Sequence, residues 1–233
     1  MVILIYNKIR KGIKMKLENI KANFLGDSIT EGHGTTGPDK AFHALIAKKY
    51  GMKAARNYGI GGTRFALQSK PSVNPRWDMS FSERMNDMDD DAELVVLFGG
   101  TNDFGHGDAP LGSFTDREPI TFYGACHYIM EGLIKKYPDA KIVVMTPLHR
   151  CNEDNPRGDG NKAYDVAPLK VYVEIIKEVA AYYSLPVLDL WAVSGIQPKV
   201  DVIKAKYCPD GLHPNDAGHE KMAEVIGNYL AAL

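Results

Sequence analysis

The sequence predicts an α/β protein, a three-layer α/β/α sandwich with a five-stranded, mainly parallel sheet. Short apolar runs alternate with longer segments in which apolar residues recur every three or four positions, and this β-α-β-α order is typical of a parallel sheet covered by helices. Several short runs are continuously apolar, as in strands buried on both faces. No internal repeat or linker divides the 233 residues. The predicted strands are residues 20–25, 53–59, 93–99, 141–147 and 186–191.

Three helices are predicted from the spacing of apolar residues. Residues 120–137, 165–184 and 216–232 each place their aliphatic side chains on one stripe, which is typical of a helix packed against a sheet. Asn215 precedes the last of these segments, and asparagine is a preferred helix cap.

Four longer stretches show no periodicity, and each of them follows a predicted strand. In a parallel sheet such stretches gather at the carboxyl edge, which is where ligands bind in open α/β folds. Loops of this length in a compact domain are usually functional. The four stretches are residues 60–81, 100–119, 147–164 and 192–215.

The composition predicts small-molecule partners, not nucleic acid or a membrane. The chain carries 28 basic and 29 acidic residues, for a formal net charge of −1, and has no long run of like charge. No stretch approaches the roughly 18 apolar residues of a membrane span, and the N-terminus lacks the apolar core of a signal peptide. A cytoplasmic location is therefore expected. The composition leaves the oligomeric state open.

The three cysteines match neither a disulfide framework nor a zinc spacing, so free thiols are expected. No metal or other cofactor is predicted. Met15 begins a segment that leads straight into the first strand. Residues 15–233 are accordingly predicted to form one domain, with residues 1–14 as a flexible extension.

Ser28 lies in the stretch "FLGDSITEGHG", just after the first strand, and has two interpretations. Gly26 permits a tight turn, and both Asp27 and Ser28 are preferred helix caps, so this motif alone favours a cap over a nucleophile.

Three more motifs at strand ends shift the balance towards catalysis. They are "NYGIGGTR" (57–64), "GGTND" (99–103) and "CPDGLHPN" (208–215). Each has a structural interpretation by itself, as turn glycines, a turn asparagine or a helix start. Together with Ser28 they bring a hydroxyl, potential oxyanion donors and an imidazole with its carboxylate to one edge of the sheet. This combination is typical of acyl transfer.

These residues resemble the four sequence blocks of the SGNH hydrolases, also called the GDSL esterase/lipase superfamily. The blocks correspond to Gly26–Ser28, Gly62, Gly100–Asp103 and Asp210–His213, and Ile29 departs from the usual leucine. The resemblance spans residues 24 to 215 and implies a flavodoxin-like SGNH hydrolase fold and a serine esterase that hydrolyses a small-molecule ester.

The resemblance also implies a role for each matching residue. Ser28 would be the nucleophile, His213 the general base and then the acid, and Asp210 the residue that orients His213. The oxyanion hole would be formed by the backbone N–H groups of Ser28 and Gly62 and by the side-chain amide of Asn102.

Other residues past the strand ends are candidates to contact the substrate, with a surface role as the alternative. His33 is also close to a strand end, and the roles of His33, His106 and His149 stay open. The predicted substrate contacts are Arg64, Trp77, His106 and His149.

The remaining histidines are expected in the core or at its boundary. His43, His127 and His219 all fall on helical patterns.

The loops that should wall the site are mostly polar, which predicts a short-chain, acetyl-type ester of a carbohydrate or another polar alcohol. Three alternatives remain. A lysophospholipase or thioesterase would act on longer acyl chains. A metal-dependent phosphoesterase would use aspartates 27, 103 and 210 with His106 and His213. A catalytically silent sugar-binding module could share the fold.

Overall fold

The five predicted strands form one parallel sheet. In the computed structural model, which describes residues 15–160 and 162–233, the strand order is β2-β1-β3-β4-β5 and every neighbouring pair is parallel. This confirms the predicted fold class. The strands are β1 (Lys21–Gly26), β2 (Ala54–Gly59), β3 (Leu94–Phe98), β4 (Lys141–Met145) and β5 (Val187–Leu188).

Nine α-helices lie in the part of the chain that the structure describes, and three short 3₁₀ turns accompany them at Pro38–Lys40, Pro75–Asp78 and Met85–Asp87. The helices are α1 (Ser28–Glu31), α2 (Phe42–Tyr50), α3 (Phe81–Arg84), α4 (Thr101–Gly105), α5 (Phe122–Lys136), α6 (Leu169–Tyr182), α7 (Leu190–Val193), α8 (Asp201–Tyr207) and α9 (Asp216–Ala232).

The three long helices confirm the periodic segments, with one shifted boundary. Helix α6 begins at Leu169 and not at residue 165, because Pro168 holds an extended backbone there (φ −67°, ψ 158°) and a residue before proline disfavours the helical region. Asn215 caps α9 as predicted, since its side chain accepts the N–H of Gly218 at 3.0 Å.

Strand β5 is shorter than predicted. The prediction ran from 186 to 191, but the side chain of Asp189 accepts the N–H of Ala192 at 3.3 Å and caps α7, so the chain leaves the sheet after Leu188. Two stretches predicted to be irregular also contain short helices, α4 and α8. Helices of five and seven residues are too short to show a clear apolar period.

The two faces of the sheet are covered by different helices. Alternate residues of β3 point to opposite sides, so Val95 and Leu97 pack in the cluster with α5 and α6, whereas Leu94 and Val96 pack in the cluster with α2 and α9. All five residues of β3 are buried, which explains its continuous apolar run.

Three sequence predictions concern other parts of the molecule. The predicted extension, residues 1–14, lies outside the described residues. Cys126, Cys151 and Cys208 are free thiols, as predicted. Within residues 15–160 and 162–233, no helix combines the length and the apolar character that crossing a membrane requires.

The helix histidines are buried, as predicted, and two of them, His43 and His219, contact Phe42. His219 Nδ1 accepts the N–H of Phe42 at 3.1 Å, and the ring of His43 packs against Phe24 and Phe42. Burial lowers the pKa of both His43 and His219 to about 4. The folded protein therefore holds both rings neutral.

We expect this burial to make the protein sensitive to acid. Between the ordinary histidine value of 6.5 and about 4, the unfolded chain binds more protons at His43 than the folded protein does, so stability is lost as the pH falls through that window. Buried Asp27 and Asp103 have raised pKa values, so they stabilise the folded protein as the pH falls. The contribution of His43 is therefore measured as the difference between wild type and a variant that lacks this ring. When the pH is lowered from 7 to 4, the free energy of unfolding of wild type should therefore fall by about 2 to 3 kcal/mol more than that of His43→Leu.

Urea unfolding at several pH values measures this difference. Ile46→Val, a core substitution on the same helix that removes no titratable group, is the control and should leave the pH dependence of stability unchanged. Parallel curves for wild type and His43→Leu would contradict the prediction.

Candidate active site

Ser28 stands at the first turn of α1, directly after β1, and its hydroxyl faces a histidine. Asp27 is the helix cap, because its carboxylate accepts the N–H of Ile29 at 3.0 Å. The Ser28 side chain is therefore not needed as a cap, and its Oγ lies 3.0 Å from His213 Nε2. Gly26 is required at this turn, since a Cβ there would lie 1.9 Å from Thr30 Oγ1.

His213 is held from its other side by Asp210. Asp210 Oδ2 lies 2.7 Å from His213 Nδ1, and Oδ1 accepts the N–H groups of Leu212 and His213 at 2.8 and 2.7 Å. Partial burial alone would raise the pKa of Asp210, but these backbone and ring hydrogen bonds outweigh it and lower the pKa. The resulting carboxylate favours the ring tautomer that carries its proton on Nδ1, which leaves the Nε2 lone pair towards Ser28.

The loop after β2 brings Gly62 to the same place. A Cβ on the neighbouring Gly61 would lie 3.5 Å from Ser28 Cβ, so this loop passes beside the serine. Gly62 has a φ of +78°, a conformation that favours glycine. Within residues 15–160 and 162–233, the N–H of Gly62 donates no hydrogen bond, whereas that of Gly61 donates to Glu31 and that of Thr63 to Ile60.

Asn102 reaches the same loop from the first turn of α4. Its Nδ2 donates to the carbonyl oxygen of Thr63 at 3.0 Å, which uses one of the two amide hydrogens and leaves the other available. The loop that carries Gly62 thus passes beside Ser28 and accepts a hydrogen bond from Asn102, and Ser28 in turn contacts His213.

Two of the carboxylates that the metal-site alternative requires accept hydrogen bonds from backbone N–H groups. Asp27 binds the backbone of Ile29, and Asp103 accepts the N–H groups of Phe65 and Ala66 at 2.9 Å each. Both are buried, and burial raises the pKa of Asp27 to about 7 and that of Asp103 to about 6. In the described part of the chain, no group of three or more His, Cys, Asp or Glu side chains is arranged to hold a metal ion.

The predicted substrate contacts divide into two groups. Trp77 and His106 pack with ring centroids 4.6 Å apart and planes tilted by 37°, and a Cβ on Gly62 would lie 2.0 Å from Trp77 Cδ1, so the indole packs directly against the loop that carries Gly62. Arg64 is buried behind them, with its guanidinium bonded to Asp78 at 2.6 Å.

His149 lies in a different environment. Its Nδ1 is 2.8 Å from Glu153 Oε2, and its ring stacks on Trp191 at 3.8 Å. His33 lies beside His213, with 5.4 Å between the two ring centroids. Its side chain is half exposed.

A cleft of about 530 Å³ begins at Trp77 and His106. Its walls combine polar side chains such as Gln68, Lys70 and Asp108 with the apolar Pro71 and Val73. Burial, and then the charge of Arg64, lower the pKa of His106 to about 4, which makes this ring a neutral hydrogen-bonding group in the wall of the cleft.

Sequence reasoning missed two residues that bind the loop carrying Gly62, namely Glu31 and Asp103. Asp103 stands next to Asn102 in "GTND", and Glu31 follows Ser28 in "SITE". A carboxylate beside a candidate site residue is the signal that the sequence carries for both.

The family model described as the GDSL-like Lipase/Acylhydrolase family matches residues 24–221, which include all the residues of this site. The chain belongs to this family. The resemblance to the SGNH hydrolases is thereby confirmed, and this GDSL-like protein is an ester hydrolase.

Solved structures share the fold of this family member. One is 32% identical with a TM-score of 0.81, and the match covers 94% of this chain and 99% of that chain. A protein from Lactobacillus plantarum is 27% identical with a TM-score of 0.78, covering 91% and 97%. A two-domain esterase active on acetylated mannans is 17% identical with a TM-score of 0.58, covering 98% of this chain and 52% of that chain. No curated protein matches this chain.

Proposed function

We propose that this protein hydrolyses carboxylic esters through an acyl-enzyme on Ser28. The observation that carries the proposal is the continuous chain from Ser28 Oγ to His213 Nε2 at 3.0 Å and from His213 Nδ1 to Asp210 Oδ2 at 2.7 Å. A serine hydroxyl is a weak nucleophile near neutral pH and needs an adjacent base that is itself oriented by a third group.

The first half of the reaction uses each of these groups once. As Ser28 Oγ bonds to the carbonyl carbon, His213 Nε2 takes the hydroxyl proton and the carbonyl π electrons move onto the oxygen. That oxyanion accepts hydrogen bonds from the N–H groups of Ser28 and Gly62 and from Asn102 Nδ2. His213 then gives its proton to the departing alkoxide oxygen, which leaves the acyl group on Ser28.

The second half repeats these steps with water. His213 takes a proton from a water molecule as its oxygen attacks the acyl carbon, and the same donors hold the second oxyanion. The proton returns to Ser28 Oγ as the carboxylic acid leaves. Throughout, the Asp210 carboxylate stabilises the imidazolium form of His213.

We further propose that the ester joins a short acyl group to a carbohydrate or a similar polar alcohol. The cleft that begins at Trp77 and His106 offers ring faces and polar groups, such as Gln68 and Asp108, that suit a hydroxylated ligand. A protein of the same fold acts on acetylated mannans, which is compatible with this substrate class.

A panel of aryl esters with acyl chains from acetyl to palmitoyl tests the acyl preference. We expect kcat/KM to be highest at two to four carbons, because each buried methylene contributes about 0.8 kcal/mol only where an apolar surface receives it, and Gln68, Lys70 and Asp108 interrupt the apolar walls of this cleft. A maximum at eight carbons or more would contradict the proposal and favour a lysophospholipase or thioesterase. Acetylated sugars measured beside the panel test the alcohol portion.

A further inference from the structure

The loop that carries Gly62 is hydrogen-bonded at both ends by carboxylates. Before Gly62, the N–H of Gly61 donates to Glu31 Oε2 at 2.7 Å. After it, the N–H groups of Phe65 and Ala66 donate to the two oxygens of Asp103, at 2.9 Å each. The proposed oxyanion donor therefore lies between two anchored points.

Each carboxylate belongs to a helix that carries another proposed oxyanion donor. Glu31 is the last residue of α1, which begins at Ser28, and Asp103 follows Asn102 in α4. The three donors come from three separate segments of the chain, and these two side chains connect the segments directly.

Glu31 is itself held in place. It forms an ion pair with Arg76, and that residue belongs to the turn that places Trp77 against Gly62. Partial burial alone would raise the pKa of Glu31, but the hydrogen bonds from Arg76 and from the N–H of Gly61 outweigh it and lower the pKa. Glu31 is therefore an ionised, anchored acceptor for the Gly61 N–H.

We propose that Glu31 is a positioning residue of the oxyanion hole: by holding Gly61 it aims the Gly62 N–H at the developing oxyanion, and Asp103 fixes the far end of the same loop. This inference rests on the proposed acyl-enzyme function. Donors stabilise a transition state only when they are fixed in advance, and a displacement of about 1 Å can cost on the order of 10²-fold in rate.

Substitutions at Glu31 test the proposal better than those at Asp103, because Asp103 is fully buried and its variants can fail to fold. Glu31→Ala removes the acceptor and should lower kcat on an aryl acetate by about 10- to 100-fold, with KM within about threefold. Glu31→Gln keeps an oxygen that can accept from Gly61, so it should stay within about threefold of wild type. Asn102→Ala removes a donor outright and gives the reference loss, about 10² to 10³ in kcat.

A second measurement reports on the oxyanion hole itself. A trifluoromethyl ketone forms a tetrahedral adduct with the serine, and the oxyanion of that adduct occupies the hole. Its inhibition constant should rise in Glu31→Ala by the factor lost in kcat/KM. A variant that was only less stable would not show equal changes in the inhibition constant and in kcat/KM. Glu174→Ala, which removes an ion-paired carboxylate on α6, is the matched control and should behave as wild type.

Three results would overturn the inference. An unchanged kcat in Glu31→Ala would show that the loop carrying Gly62 keeps its position without the bond to Glu31. A rise in KM alone would show that Glu31 contacts substrate. An equal loss in Glu31→Gln and Glu31→Ala would show that the charge matters and not the bond to Gly61. Ser28→Ala in the same assay separates the two proposals. Retained activity in Ser28→Ala would overturn the proposed function, whereas an inactive Ser28→Ala beside a fully active Glu31→Ala would overturn this inference alone.

Discussion

Replacing Ser28 with alanine is expected to lower kcat on an aryl acetate by about 10⁴-fold or more. The variant loses the atom that carries the acyl group in the proposed acyl-enzyme, and nothing else need move, because Asp27 and not Ser28 caps α1. A residual rate above that in water should remain, since the oxyanion donors and His213 stay in place. Steady-state kinetics against wild type measures the loss.

Ser82→Ala is the matched control for this substitution. Ser82 is as buried as Ser28, and its hydroxyl pairs with Ser80 Oγ at 2.8 Å, outside the triad. We expect it to retain wild-type activity. A fluorophosphonate should add one phosphonyl group to wild type and to Ser82→Ala but none to Ser28→Ala, and EDTA should not slow hydrolysis. If Ser28→Ala kept a tenth of the activity, Ser28 would not be the nucleophile.

The positions of the candidate motifs can be predicted because the continuous apolar runs of this sequence mark buried parallel strands. Each run ends where polar residues begin, so the sequence alone places Ser28, Asn102 and the Asp210–His213 turn at one edge of the sheet. The motif alone does not show whether Asp27 or Ser28 caps the helix, because both residues are preferred caps. The folded structure shows that the Asp27 side chain takes the capping bond.

The walls of the site could not be predicted, because they depend on pairings between distant polar loops. Glu31 meets Arg76 across 45 positions, and this pairing helps to bring Trp77 onto Gly62. Such loops carry no period of 2 or 3.6 residues from which a fold could be derived. Arg64 shows the same limit: it lines the cleft, so its substrate contact stays a prediction, but its sequence position does not indicate that its guanidinium is bonded to Asp78.

Asp210→Asn is expected to lower kcat by about 10⁴-fold, although the substitution changes the volume of the side chain very little. Asp210 Oδ1 accepts two backbone N–H groups, from Leu212 and His213, so the asparagine must keep its carbonyl oxygen at that position. Its NH₂ group then faces His213 Nδ1 and donates to it. The ring is forced into the tautomer with its proton on Nε2, which cannot accept the proton of Ser28.

Asp210→Ala separates this tautomer effect from loss of the negative charge. Alanine removes the carboxylate but imposes no tautomer on His213, so we expect it to lose less activity than the asparagine variant. Nitrogen NMR of the His213 ring should show the proton on Nδ1 in wild type and on Nε2 in Asp210→Asn. Equal losses in the two variants, or a wild-type tautomer in Asp210→Asn, would mean that Asp210 acts through its charge alone and not by selecting the tautomer that receives the Ser28 proton.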